Sequence, residues 1–352
     1  MEPFKNNVGA ALIDTLSDRF GGLPGFVADA NAGLTEMELK ARVNHVARCL
    51  RTHLDPDYAV ALARIVEGCE GLGGWAAWPL CSFVELFGGE HLELSFEAMR
   101  ILTVQASCEF AVRPFLIAQP ARSLAILRSW TADSDPAVRR LVSEGTRPRL
   151  PWGERLSAFQ EDPTPVLELL ELLRHDPAKT VRLSVANHLN DISKDHPART
   201  VEVARRWWSE DEPELRWIVR HALRTLIKAG DPGALEVLGF GPPNVQLVRM
   251  DVSPSRIELG GSITIGIELQ CAEDQGLVVD YAVHHVKANG KTTPKVFKWS
   301  TRQVRAGQRV KVERKHALRP ISTRRYYAGV HAVELLINGR SYGREEFELV
   351  LG

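Results

Sequence analysis

No apolar stretch reaches the roughly 18 residues that a membrane-spanning helix needs, and the opening Met1-Glu2-Pro3-Phe4-Lys5-Asn6-Asn7 lacks the apolar core of a secretory signal. A soluble, cytoplasmic protein is the expectation. Cysteine is scarce: Cys49, Cys69, Cys81, Cys108 and Cys271 are odd in number, and no pair has the spacing of a zinc or redox motif. They read as buried thiols. There is no His-Glu-x-x-His and no Gly-x-Ser-x-Gly, and Gly68-Cys69-Glu70-Gly71-Leu72-Gly73-Gly74 has no Lys-Ser/Thr after it, so it reads as an interhelical loop and not as a phosphate loop. His284 and His285 alternate across a presumed strand and cannot both face one metal. Nothing points to a metal or an organic cofactor.

What is present is a degenerate repeat, in which an acid-Pro pair precedes an apolar residue followed by Arg. It runs Asp135-Pro136-x-Val138-Arg139, then Asp176-Pro177 with Val181-Arg182, then Glu212-Pro213-x-Leu215-Arg216, at spacings of 43 and 34 residues. Such spacings belong to helical-hairpin repeats. Pro is tolerated at the first helical position, and an acid before it caps free N–H groups. These acids therefore mark helix beginnings and not catalytic carboxylates. Helical periodicity continues to about Phe240, and the stripe Leu215, Ile218, Val219, Ala222, Leu223 and Leu226 predicts one helix stopped at Gly230.

Composition changes at Gly239-Phe240-Gly241-Pro242-Pro243. Beyond it, Ser262–Leu269 and Val330–Ile337 have strand patterning, with Asn289-Gly290 and Asn338-Gly339 as hairpin turns. The predicted architecture is mostly α: an α-α superhelix of HEAT-like repeats over residues 1–240, then a small immunoglobulin-like β-sandwich over 244–352. Of 44 basic and 44 acidic residues in the chain, the segment from Asn244 holds 17 and 11 and the remainder 27 and 33, so the net zero hides a basic C-terminal part. From Tyr281 to Val330, thirteen Lys and Arg, Lys287, Lys291, Lys295 and Lys298 among them, oppose Glu313 alone. That balance predicts a polyanion surface; a basic but idle surface is the alternative.

On a wheel of roughly 100° per residue, Glu144 falls about 110° from the stripe of Val138, Leu141 and Val142, and Asp191 about 110° to the same side of Val181, Val185 and Leu189. Both could be solvated flanks; stacking of the repeats would instead bring them to one groove. Glu109 lies near the line of Leu102 and Ala106, with Arg113 one turn on, which allows either a structural ion pair or a carboxylate facing the groove. Next to Glu144, the stretch Gly145-Thr146-Arg147-Pro148-Arg149-Leu150-Pro151-Trp152-Gly153 offers two guanidinium groups suited to phosphates and a Trp suited to a base or a cation; it could also be a linker whose Trp packs inward. Of the other tryptophans, Trp75, Trp78, Trp130, Trp207, Trp208 and Trp217, most are expected in the core.

Trp75-Ala76-Ala77-Trp78-Pro79-Leu80, Ser143 to Trp152, Ser184 to Asp191 and Leu215 to Lys228 together resemble the HEAT-like repeat alkylpurine DNA glycosylases of the AlkC type. Val286 to Lys291 and Pro294 to Trp299 resemble the immunoglobulin-like extension of some members. The resemblance implies hydrolysis of the N-glycosidic bond of cationic N-alkylated bases such as 3-methyladenine in double-stranded DNA, without a cofactor and from the backbone side of bent DNA. By that resemblance Asp191, Glu144 and Glu109 would stabilise an oxocarbenium-like sugar and position water. Trp152 would lie against the lesion, Arg147 and Arg149 would hold phosphates, and the basic sandwich would grip DNA opposite the cleft. The alternative is a non-catalytic helical scaffold that binds DNA or protein. No dimer seam is visible, so a monomer is the default.

Overall fold

The computed structural model describes residues 3–321 and 324–351. Among the described residues, sixteen α-helices are followed by eight strands. They form two compact units: one runs to Asp195 and takes in Pro213–Ile218, and the other holds His196–Glu212 and everything from Val219 on.

In the first unit, the helix Pro136–Gly145 packs on the helix Lys179–Ile192, and the predicted stripes, Val138, Leu141 and Val142 on one and Val181, Val185 and Leu189 on the other, are all buried. Asp135 caps the first, its Oδ1 accepting from Ala137 N at 2.7 Å. The second copy departs from the sequence reading, because its helix begins at Lys179 and not at Pro177. Asp176 there turns the chain through Ala178 N (2.8 Å) and takes Arg139 of the preceding copy on both oxygens, at 2.6 and 2.9 Å. The recurrent Arg is thus explained in the first two copies. Arg139 also donates to the carbonyls of Asp133 and Ser134, as Arg182 does to those of Asp176 and Pro177; each Arg ties down the turn that starts its own helix. All five cysteines are free and buried.

The single predicted helix is two, Pro213–Ala222 and Arg224–Ala229, separated by Leu223, whose ψ of −1° (φ −78°) lies at the edge of the helical region. The apolar stripe still runs through the break and is buried throughout. Gly230 (φ 77°) closes the second helix, and Asp231 caps Pro232–Val237 through Ala234 N at 2.8 Å.

The strands are β1 (Val245–Ser253), β2 (Arg256–Glu258), β3 (Ser262–Cys271), β4 (Gln275–Val286), β5 (Thr292–Val304), β6 (Arg309–Ala317), β7 (Gly329–Ile337) and β8 (Arg340–Val350). One sheet has the order β1-β3-β6, the other β2-β8-β7-β4-β5, and among the described residues only β2 runs parallel to its neighbour. Alternate residues Ile263 and Ile265 of β3, Tyr281 and Val283 of β4, and Phe347 of β8 share one core cluster, as period-two strands require. The β7–β8 loop is the two residues Asn338 (φ 42°) and Gly339 (φ 75°), positive at both positions as a type I′ turn demands. This turn docks on the last helices. Asn338 Nδ2 donates to Gly241 O at 2.8 Å, Tyr342 Oη to Pro243 O at 2.9 Å, and a Cβ placed on Gly339 would stand 2.3 Å from Gly230 Cα.

Candidate active site

Glu144 and Asp191 are 6% and 2% exposed, so neither is a solvated flank. Buried carboxylates need partners, and one guanidinium serves both. Arg147 donates from Nη1 to Glu144 Oε1 at 2.6 Å and from Nε to Asp191 Oδ2 at 2.8 Å. The remaining oxygens are also engaged: Ser184 Oγ donates to Glu144 Oε2 at 2.6 Å, and Lys194 Nζ to Asp191 Oδ1 at 2.8 Å. Burial alone would weaken the charge on Arg147; Glu144 and Asp191 outweigh it and raise the group above its ordinary value. His188, fully buried on the Asp191 helix, lies 2.9 Å from Ser143 O through Nδ1, which must be the protonated nitrogen because a carbonyl only accepts. Burial pushes this imidazole down to about 3, so it is neutral.

Arg147 is therefore not the open phosphate ligand suggested by the sequence. Its guanidinium is inside the protein, spent on two carboxylates. Arg149 gives its Nε and Nη2 edge to Asp195 (2.8 and 2.6 Å), with 29% of its side chain still exposed. The loop that carries both is held by Arg113, which sequence reasoning offered only as a partner for Glu109. Arg113 is 1% exposed and donates to Gly145 O and Arg147 O, each at 2.9 Å, and to Glu154 O at 2.6 Å. Burial lowers it to about 10, which leaves it charged at neutral pH.

Glu109 is not on a helix. The helix Leu92–Gln105 ends at the extended residue Ala106 and the next begins at Arg113, so of the two alternatives the i,i+4 pair with Arg113 does not form. Glu109 Oε2 instead accepts from Ser107 Oγ at 2.7 Å and from Arg140 Nη2 at 3.1 Å. Arg140 in turn approaches Glu144 at 3.9 Å.

Glu109, Glu144 and Arg147 line a cavity of about 480 Å³, and Trp75, Trp78, Phe110 and Trp152 line it as well. Asp191 does not line it and connects to it through Arg147. The rings are contiguous: Trp75 and Trp78 lie 5.8 Å apart, Trp78 stacks on Phe110 at 5.8 Å, and Phe4 extends the series by stacking on Trp75 at 6.1 Å. Aromatic faces beside two carboxylates make a lining suited to a flat cation. Most tryptophans are expected in the core from sequence; Trp75 and Trp78 line the cavity instead, and the pair in Trp-x-x-Trp-Pro is the available signal.

Trp152 is 69% exposed and its backbone lies in the left-handed region at φ 63°, a costly conformation for a bulky side chain. Trp152→Gly is expected to leave stability unchanged or raise it by up to about 1 kcal/mol, while base release in the assay proposed below declines. Chemical denaturation checks the first part; a clear loss of stability would mean that contacts of the ring outweigh the strain.

In the sandwich, Lys287, Lys291, Lys295 and Lys298 are all exposed but do not form one surface. Lys287 and Lys291 close the β4–β5 turn, with Lys287 N donating to Lys291 O at 2.9 Å. Lys295 pairs with Val283 and lies over the Phe297 ring at 5.4 Å, whereas Lys298, an odd number of residues further on, pairs with Asp280 on the opposite face. His284 and His285 also face apart: His284 Nε2 meets Glu334 at 2.8 Å, and His285 meets Arg324.

Comparison with known proteins gives these features a context. Residues 97–226 match the family model of the DNA alkylation repair enzymes, and residues 246–351 match that of the C-terminal Ig-like domain of the uncharacterised protein YhaZ. The chain is 36% identical over 315 residues to the Bacillus subtilis (strain 168) protein described as "Uncharacterized protein YhaZ", covering 89% of this chain and 88% of that one. Its structure resembles that of the Pseudomonas fluorescens alkylpurine DNA glycosylase AlkC bound to DNA containing an abasic site analog. The TM-score is 0.94 at 35% identity, over 99% of this chain and 100% of that one. The chain belongs to the DNA alkylation repair enzymes. Within them it is of the AlkC type, with sixteen helices and the immunoglobulin-like domain after them.

Proposed function

We propose that this protein is a monofunctional DNA glycosylase that hydrolyses the N-glycosidic bond of cationic N-alkylated bases, 3-methyladenine foremost, in double-stranded DNA. The observation that carries the proposal is the convergence of Glu109, Glu144 and the Arg147-linked Asp191 with four aromatic rings around one cavity. A base with a ring cation is a good leaving group. As the C1′–N bond breaks, its electron pair neutralises the base and positive charge moves to the sugar. Water then adds hydroxide to C1′ and gives up a proton. The work left to the protein is to stabilise the sugar cation and hold the water.

Glu109 and Glu144, on the cavity wall, are the groups assigned to contact the sugar and the water; Asp191 acts with them through the Arg147 bridge. Trp152, exposed at the cavity, is assigned to the lesion. Residues 1–240 supply this helical-repeat cleft and residues 244–352 the basic module, in which Lys287, Lys291 and Lys295 take DNA phosphates. The test is incubation with DNA methylated to contain 3-methyladenine and 7-methylguanine, followed by chromatography of the released bases. Release of free 3-methyladenine is expected. Tight DNA binding with no release would replace this reading by that of a non-catalytic scaffold.

A further inference from the structure

The sandwich buries three histidines, His285, His316 and His331, for which the proposed chemistry has no use. The tautomers of two of them follow from their partners. Arg324 Nη1 lies 2.6 Å from His285 Nε2. A guanidinium only donates, so this nitrogen is the lone pair and the ring proton is on Nδ1. His331 Nε2 lies 3.0 Å from the Tyr327 carbonyl, which only accepts, so the proton there is on Nε2 and Nδ1 is the lone pair.

The two Nδ1 atoms are thus one donor and one acceptor. Both are buried without a hydrogen-bond partner among the described residues, on rings whose centroids are 5.7 Å apart. A buried orphan donor is costly, and so is a buried orphan acceptor. Left side by side with opposite character, they can satisfy each other through one water.

Arg324 stands at the surface end of this chain of groups. With Lys287, Arg325 and Tyr327 it lines an open notch of about 540 Å³. Its guanidinium packs on Tyr326 at 5.7 Å, as that of Arg325 does on Tyr327 at 5.5 Å. We propose that His285 and His331 form a neutral relay, closed by a buried water, that fixes Arg324 at the edge of a phosphate-binding notch completed by Lys287 and Arg325. The ligand class is the DNA backbone phosphodiester, so the ligand part of the proposal rests on the reading that the sandwich holds DNA.

The relay has to stay uncharged to work, because a protonated His285 could no longer accept from Arg324. Its surroundings enforce this. Tyr326 packs on its ring from the same loop as Arg324, and burial, then Arg324, His331 on β7, His316 on β6 and Lys287 at the end of its own strand all depress its affinity for a proton, down to about 3. None of these neighbours is a carboxylate. His331 is lowered as well, by burial.

The first test reads the rings directly, by long-range nitrogen–proton correlation NMR on the full-length protein with labelled histidine. Between pH 5.5 and 8, within about two pH units of the ordinary histidine value, His285 is expected neutral with the proton on Nδ1 and His331 neutral with the proton on Nε2. The opposite tautomer or a charged ring at either position overturns the relay. The second test measures binding of a short undamaged duplex as a function of salt. Arg324→Gln should weaken it about three- to tenfold and lower the salt slope by about one. His285→Leu should reproduce most of that loss and add little to Arg324→Gln. His285→Gln, whose amide oxygen can stand in for Nε2, should recover it. If Arg324→Gln weakens binding while His285→Leu does not, the relay is wrong. If the tautomers are as stated and Arg324→Gln leaves binding unchanged, the notch does not hold DNA phosphates, and that part of the functional reading falls instead.

Discussion

Asp191→Asn is expected to lower base release by about 10²- to 10³-fold, the scale on which one preorganised electrostatic group acts in a transition state. The side chain keeps its shape, so Arg147 Nε can still donate to the amide oxygen, and Arg147 keeps Glu144 as its charged partner. Lys194, which donates to Asp191 Oδ1, loses its carboxylate but has 41% of its side chain in solvent. The fold should therefore survive, at a cost of about 1–3 kcal/mol for a charge-assisted bond in a buried site. Glu144→Gln should behave alike. Asp195→Asn is the control: it removes an equally well-formed ion pair, with Arg149, away from the cavity lining, and should leave release near the wild-type rate. Single-turnover release on methylated DNA, with melting curves on the same samples, decides. If Asp195→Asn fails as badly as Asp191→Asn, the loss reports a damaged loop and not chemistry.

Mild acid is expected to unfold this protein. Burial, the largest cause at each, holds His188 and His285 at about 3 and His316 at about 4. The folded values lie below the ordinary 6.5, so the neutral form is the one that the fold accepts. The stabilisation is complete above about 6.5 and is lost as pH falls through that value toward the folded one, because the unfolded chain takes up a proton that the folded chain refuses. Each histidine costs up to about 1.4 kcal/mol per pH unit in that window. For three of them, the descent from pH 6.5 to 5 removes about 5 kcal/mol, comparable with the lower end of the 5–15 kcal/mol that a typical fold has. Denaturant unfolding across this range should show a slope that rises to about three protons or more at its acid end, His331 adding to the three, and His285→Gln should lower that slope by about one. A flat profile would mean that these rings are hydrated in the folded state.

What could be read from sequence divides along physical lines. The Asn-Gly pairs placed both hairpins: Asn338-Gly339 is a two-residue loop with positive φ at both positions, which accepts little else, and Asn289-Gly290 lies in the longer Lys287-to-Lys291 turn, where Gly290 takes the positive φ. Glu144 and Asp191 could be assigned to equivalent edges because both lie on helices with a clear apolar stripe, and a wheel is valid while the helix lasts. It failed at Glu109, four residues past the end of its helix, where angular position has no meaning. The fate of the arginines was not legible either. Which carboxylate takes Arg147, Arg149 or Arg139 is settled by residues about 40 positions away, and a basic stretch read alone looks open to phosphate. Trp75 and Trp78 misled for a related reason: an aromatic pair at a cavity and one in a core have the same spacing.

The contact between Gly230 and Gly339 has a consequence for anyone who recombines such chains. Two backbones meet there with no room for a side chain on either, so enlarging one position cannot be rescued by shrinking the other, which is already as small as it can be. The pair is inherited whole or lost. A chimera joined at the Gly239-to-Pro243 linker would bring the Asn338-Gly339 turn of one parent against the Gly230 turn of another, and any parent with a larger residue at either place would be incompatible. The seam for grafting the sandwich onto a different helical partner lies upstream of Gly230, with the short capped helix Pro232–Val237 carried along as part of the graft.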